Sequence, residues 1–355
     1  MAYTNIDDPS AFFQTALYTG AGASQTVTND GNSDLQPDWL WIKRRNAGYA
    51  HALFDSNRGL GSSNPPMLES DSTAAENSNQ NWISGVGTDS FTIGINEQNL
   101  SNTSGTYVAW QWKANGGTTS SNTDGNTTTT VQANQDAGFS IITYTGTGSE
   151  TTFGHGLGVA PEVIIAKKRG GAASWVVWFK AFNNSDGYLV LNATDKMEEA
   201  TTIFTNTDPT SSVITLGSSS TVNQNTVTHL MYAFSPKQGY SKFGSYKGNG
   251  NADGPFVYTG FQPAFILFKK SSDAGDNWMM YDHKRPGYNV TDEALHPNSA
   301  VGEYDNANAN LDILSNGFKL RSSFGWVNQS SHTYMYMAFA KHPFVTSTGI
   351  PTTAR

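Results

Sequence analysis

Gln36-Pro37-Asp38-Trp39-Leu40-Trp41-Ile42-Lys43-Arg44-Arg45 has two further counterparts in the chain. They are Ala160-Pro161-Glu162-Val163-Ile164-Ile165-Ala166-Lys167-Lys168-Arg169 and Gln262-Pro263-Ala264-Phe265-Ile266-Leu267-Phe268-Lys269-Lys270. Each runs from a proline through strand-favouring apolar residues to a lysine six positions on. A repeat of this kind sets the architecture before any single residue is interpreted. Companions stand at matched offsets. Tyr18-Thr19-Gly20, Tyr144-Thr145-Gly146 and Tyr246-Lys247-Gly248 precede their prolines by 19, 17 and 17 positions. Phe54, Trp178 and Tyr281 follow at 17, 17 and 18, and strands beginning at Tyr107, His229 and Tyr334 follow at 70, 68 and 71. Ordered landmarks at nearly constant spacing mark three tandem copies of one unit.

The 355 residues exceed a usual single core, and three units of about 100 residues each suit independent folding. The chain is rich in Gly, Asn, Ser, Thr and aromatics, with only 14% charged residues, a mix that favours short strands and tight turns. Each unit therefore reads as an antiparallel β-sandwich of seven to nine strands, jelly-roll or lectin-like, and the whole as all-β. A net charge of −8 argues against gripping a nucleic acid by its phosphates. There is no cysteine, which removes disulfides and thiolate metal sites. The first ten residues lack a basic region followed by an apolar core, and no apolar run reaches the roughly 18 residues of a membrane span. A protein folded in a cytoplasm, without membrane insertion, is expected.

Read in order, 1–15 is an N-terminal docking segment, with Asp8 capping a turn that Pro9 opens. Phe12 and Phe13 are its candidate docking residues. Units follow at 16–113, 138–236 and 237–343, and 344–355 is an extended tail. Residues 114–137, rich in Thr, Ser, Asn and Gly, read as a linker. It accounts for a proline spacing of 161 − 37 = 124 against 263 − 161 = 102. Residues 61–81 read as a long surface loop, and Lys196-Met197-Glu198-Glu199-Ala200 as a turn of helix.

No nucleophile elbow or phosphate-binding loop occurs. A glycosidase needs two opposed carboxylates. Glu69, Asp71, Glu76, Glu97, Glu162, Glu198, Glu199, Glu293 and Glu303 all stand in polar contexts, and none recurs in all three copies. They read as solvated surface. Asn249-Gly250-Asn251-Ala252-Asp253-Gly254 imitates the opening of a calcium loop, but the twelfth position is Gly260 rather than glutamate. Asp273-Ala274-Gly275-Asp276 is a second weak oxygen cluster, and no histidine pair has zinc-ligand spacing. Neither a catalytic residue, a metal nor a cofactor is assigned. The recurring Lys43, Lys167 and Lys269 read as strand-end lysines that snorkel to water. Trp82, Trp278, Tyr304 and Trp326 sit in loop-like surroundings and are the candidates for stacking on sugar rings.

The chain resembles a family of virion-associated tail and structural proteins of tailed bacteriophages, marine ones especially. The resemblance rests on residues 6–15, on Gly31-Asn32-Ser33-Asp34-Leu35-Gln36-Pro37-Asp38-Trp39, on 108–117, on 239–246 and on 344–355. It spans essentially the whole chain and brings no catalytic or binding residues with it. It implies a non-enzymatic virion protein assembled in the host cytoplasm: a tail fibre or appendage that contributes to recognition of host-surface glycan. Its partners would be other virion proteins of tail or capsid, and a homo-oligomer, by analogy a trimer. A capsid decoration protein or head fibre is the sister reading. A glycan-active enzyme or secreted carbohydrate-binding module is the reading from another class.

Overall fold

A computed structural model describes residues 3–305 and 308–351. The fold is nearly all-β and consists of several antiparallel sheets. One strand order recurs three times. In the first copy an opening strand (Phe13–Thr19) pairs with a closing strand (Thr106–Trp112), which pairs with the proline-led strand (Trp39–Arg44), which pairs with a trailing strand (Ala52–Asp55). The same neighbours in the same order are Phe139–Thr145, Thr228–Phe234, Val163–Lys168 and Val176–Phe179 in the second copy. In the third they are Ser241–Lys247, Thr333–Pro343, Phe261–Lys270 and Met279–Asp282.

The proline-led strands are buried along their whole length, which explains an apolar run that does not alternate. In the first copy Trp39 and Trp41 face a central core, whereas Leu40 and Ile42 face an outer cluster with Phe91 and Ile93 of a second, three-stranded sheet. In the second copy Val163 and Ile165 point inward, and Ile164 and Ala166 outward. The central core draws on all three copies. Trp39 stacks on Tyr232 at 4.3 Å between centroids, Phe13 on Phe339 at 5.6 Å, and Phe234 meets Phe339 edge-on at 5.8 Å. Such pairs contribute about 0.5–1.5 kcal/mol each beyond their buried area. The three ladders thus close around one aromatic centre.

Several expectations are corrected. Residues 114–137 are not a free linker: Ser120–Asn122 and Thr129–Asn134 add two strands to the open edge of Phe139–Thr145. A segment too polar to build a core can still pair with an existing edge, and its threonines favour the extended backbone. The joint to the first copy is also fixed. The buried Asp38 carboxylate accepts from the amides of Ala114, Gly116 and Gly117 at 2.7–2.8 Å. Gly116 and Gly117 supply the positive φ (62° and 80°) that turns those amides inward. Residues 196–200 hold a short strand, Glu198–Glu199, rather than a helical turn, because pairing with Gly187 and Tyr188 overrides local propensity. The N-terminal segment does not stand apart, since the opening strand begins at Phe13. The tail expected to be extended curls back on itself: Val345 bridges Pro351, and Ser347 bonds Asp7. Residues 352–355 of that tail lie outside the described residues.

Candidate functional site

A set of buried polar side chains stands where one copy meets the next and recurs from seam to seam. Trp175 donates its indole N–H to the Glu69 carbonyl at 2.8 Å, and Trp278 donates to the Val190 carbonyl at 3.0 Å. The matching position in the first copy is His51. Its Nδ1 accepts from Trp41 Nε1 at 2.9 Å, so the neutral ring carries its proton on Nε2 and donates to the His296 carbonyl at 2.9 Å. The carbonyl eight residues past each proline accepts from the neighbouring copy: Arg45 from the Glu303 amide (2.6 Å), Arg169 from Glu76 (3.1 Å), Ser271 from Met197 (2.8 Å). First leans on third, second on first and third on second. The contact is cyclic.

Two seams carry an ionic chain. Arg58 pairs with Asp55 at 2.6 Å and approaches Glu76 at 3.6 Å, while Arg169 binds Glu76 at 2.8 Å and Tyr232 donates to Asp55 at 2.7 Å. Its counterpart joins Asp282 and Arg285 (2.6 Å), Glu303 (2.9 Å) and Arg45 (2.6 Å), with Trp110 donating to Asp282 at 3.0 Å. At the third seam the Asp–Arg positions are Phe179 and Phe182, whose rings meet edge-on at 5.6 Å. Glu76 and Glu303 are therefore seam residues rather than solvated surface. Residues 61–81 are not a free surface loop either, since they supply the Glu69 and Thr73 carbonyls and Glu76 to the seam.

The repeated lysines do not snorkel. Lys43, Lys167 and Lys269 are fully buried. Lys43 Nζ donates to the Tyr49 and Ala300 carbonyls at 2.7 and 3.0 Å, so it ties the first copy to the third. Lys167 Nζ reaches the Ala173 and Thr73 carbonyls at 2.5 and 2.9 Å and ties the second to the first. Lys269 donates to the Lys270 carbonyl at 2.8 Å, with the charges of Asp276 and Asp195 near it. Burial pushes all three ammonium groups down to about 8. A folded-state value below the ordinary 10.5 means the folded protein resists taking up these protons. Stability should therefore rise as pH climbs from 8 toward 10, by up to about 3 kcal/mol per lysine. Above 10 it should fall, because tyrosines such as Tyr334 and Tyr336, whose phenols burial pushes up, ionise first in the unfolded chain. Melting temperature followed from pH 7 to 11 should peak near pH 9–10, and the rise should shrink in Lys43→Met.

The four expected sugar-stacking residues are not brought together. Trp82 is buried against Phe54 in the outer cluster, and Trp278 is wholly buried at its seam. Neither presents a face to a ligand. Tyr304 and Trp326 are half-buried and do meet, through His296: its Nε2 lies 2.7 Å from the Tyr304 hydroxyl, and its ring stands edge-on to Trp326 at 5.4 Å. Of the expected docking pair, Phe13 is buried among Trp112, Phe265 and Phe339, whereas Phe12 is half-buried against Tyr240. Phe13 is thus core rather than a docking side chain.

The oxygen-rich loops are closed by side chains. Asn328 Nδ2 donates to Asn249 Oδ1 and to the Asn251 and Ser322 carbonyls at 2.8–2.9 Å, and Lys319 pairs with Asp253 at 2.8 Å. Lys270 pairs with both Asp273 and Asp276. Among the described residues no three of His, Cys, Asp and Glu stand together as metal ligands, and no helix is long and apolar enough to cross a membrane.

A cleft of about 290 Å³ opens at the seam between first and third copies. Phe13, Gln14 and Thr15 of the opening strand lie on one side, with Asp30 beside them, and His283 and Lys284 lie opposite. Burial pushes the His283 imidazole down to about 4, and Lys284 pairs with Asp30. The repeat in the sequence did not expose the cleft, because the charged part of its lining, Asp30, His283 and Lys284, lies outside the recurring strands.

A family model described as a domain of unknown function (DUF7483) matches residues 8–343, and the chain belongs to that family. No curated protein and no solved structure matches the chain.

Proposed function

From a family membership that assigns no activity, we propose that the chain is a non-enzymatic structural protein of a bacteriophage virion, a tail fibre or tail appendage built of three tandem antiparallel β-sandwich units. The observation that carries this reading is the use made of the buried charges. Asp55, Glu76, Asp282 and Glu303 reach the next copy through Tyr232, Arg169, Trp110 and Arg45. Lys43 and Lys167 reach it through backbone carbonyls, and Arg58 and Arg285 hold the acids in place. Buried charges in an enzyme ordinarily converge on a cleft; here these lock a ring of ladders, as suits a part that must keep its shape. The sandwich reading draws support from the second sheet laid over the proline-led ladder in the first copy, Gln25–Thr28, Ser90–Ile93 and Ile83–Gly87, and from its counterpart Phe256–Tyr258, Gly317–Leu320 and Leu311–Leu314 in the third. Its partners are other virion proteins, and Tyr304 with Trp326 is the pair left for a host-surface glycan.

Immuno-electron microscopy of intact particles tests the proposal. Label along the tail is the expected result. Label over the head would transfer the protein to capsid decoration, and particles free of label would overturn the virion reading.

A further inference from the structure

We infer that the outer edge of the strand Phe13–Thr19 is a strand-addition site, which takes an extended segment of a partner protein built from small and β-branched residues. This does not rest on the virion reading. It rests on a comparison between copies of the same ladder.

In the first copy Lys113 N donates to Phe12 O at 3.0 Å, and Gly20 N to Gly105 O at 2.8 Å. Hydrogen-bonded pairs recur every second residue of an antiparallel ladder. Gln14, Ala16 and Tyr18 therefore bond the closing strand, and the N–H and C=O groups of Phe13, Thr15 and Leu17 point away from it. Among the described residues nothing bonds those outward groups. In the second copy Ser235 N donates to Gly138 O at 2.8 Å, so the outward residues are Phe139, Ile141 and Thr143. There the chain covers its own edge: Thr129–Asn134 sets Asn134, Gln132 and Thr130 opposite those three residues. Asn57 of the first copy seals the place by donating to the Thr130 and Ile141 carbonyls at 3.0 and 2.8 Å.

The position matching Asn57 in the third copy is Lys284, two residues after Asp282 as Asn57 is two after Asp55. Lys284 lies across the 290 Å³ cleft from Phe13, Gln14 and Thr15. The cleft thus stands where the second copy holds an added strand. A separate sign comes from Thr15, which is 2% exposed and lines the cleft, yet its Oγ1 has no hydrogen-bond partner among the described residues. A buried hydroxyl left unpaired is costly, and an incoming backbone satisfies it together with the free edge. The third opening strand is a poorer candidate, because Ser241 N is tied to the Lys237 carbonyl and Lys242 Nζ crosses to the Tyr258 carbonyl. The occupant's character follows from the strand that fills the equivalent edge. Thr-Thr-Val-Gln-Ala-Asn alternates small or β-branched residues with polar ones and carries no charge.

The probe is a synthetic, end-blocked peptide of that sequence added to the full chain, with amide exchange read residue by residue by NMR. At saturation the amides of Phe13, Thr15 and Leu17 should slow by about tenfold, the effect of one net hydrogen bond each. Gln14 and Ala16 should not change. The peptide N-methylated at alternate residues should give no protection. Leu17→Pro removes an N–H that the closing strand does not use, a place where an edge tolerates proline; it should keep the fold and lose the protection, while Leu17→Val keeps both. No slowing at any peptide concentration, equal binding by Leu17→Pro, or protection at Ser241–Lys247 instead would overturn the proposal. Protection that grows with protein concentration in the absence of peptide would also overturn it, by giving the edge to a second copy of the chain.

Discussion

Arg58→Ala should destabilise the protein by about 3–5 kcal/mol, the usual cost of leaving one partner of a buried ion pair uncompensated. Arg58 and Asp55 are both inaccessible to solvent, and the guanidinium also holds the Pro66 and Leu53 carbonyls at 3.0 and 3.2 Å. Removing it strands the Asp55 carboxylate and two acceptors beside Tyr232 of the next copy. The third seam supplies a built-in control, since Phe179 and Phe182 replace the Asp–Arg pair there and Met337 stands where Tyr232 and Trp110 stand elsewhere. Asp55→Phe with Arg58→Phe and Tyr232→Met transplants that apolar seam. It should recover most of the loss, because well-packed apolar groups replace buried ion pairs at little cost. Chemical unfolding with an unchanged denaturant slope reads both effects. A triple variant no better than Arg58→Ala would mean that the seams are not interchangeable.

The recurring ladder was legible because its signal is local: a proline, a stretch buried on both faces and an aromatic closing strand at fixed distance. The double burial of that stretch follows from strand geometry, since the adjacent Trp39 and Leu40 face opposite cores. The ring was not. Its seams are made by 61–81, by residues near 190–197 and by 296–303, which match one another in position and hardly at all in sequence. Glu76 and Glu303 stand 39 and 40 residues after their prolines, but the third member of that set is Met197. Asking for an acid common to all three copies therefore hid the two that matter. The lysines misled differently. A strand-end lysine ordinarily reaches water, but here the neighbouring copy's loop closes over Lys43 and Lys167 and offers carbonyls instead. Backbone acceptors brought in from another copy leave no trace in side-chain sequence. The Thr-rich segment was misjudged because edge pairing draws on backbone groups that any residue supplies, whereas composition speaks only of cores.

Acid should loosen the seam between the first and third copies. Burial pushes His229, His283 and His296 down to about 4 and His51 well below its ordinary value. A histidine held neutral in the folded state contributes stability that is complete above pH 6.5 and is lost as pH falls toward 4, because the unfolded chain takes up the proton first. For His229, His283 and His296 the fall from 6.5 to about 4 corresponds to roughly 3 kcal/mol each at most. Together these three rival the 5–15 kcal/mol that typically holds a protein folded. His51 and His296 lie in series at the seam between first and third copies. His51 lies near Lys43 and Asp71, whereas His296 bonds the Trp278 carbonyl and the Tyr304 hydroxyl. A proton on His51 Nδ1 would oppose the Trp41 N–H that this nitrogen now accepts. Melting temperature should therefore drop steeply between pH 6.5 and 4.5. Amide exchange should rise first at His51, at 296–303 and beside His229, and later in the strand Ser241–Lys247. His51→Gln, which keeps an acceptor and a donor without a titrating ring, should flatten the early part of that fall. A melting temperature constant down to pH 4.5 would show that these rings do not govern the seam.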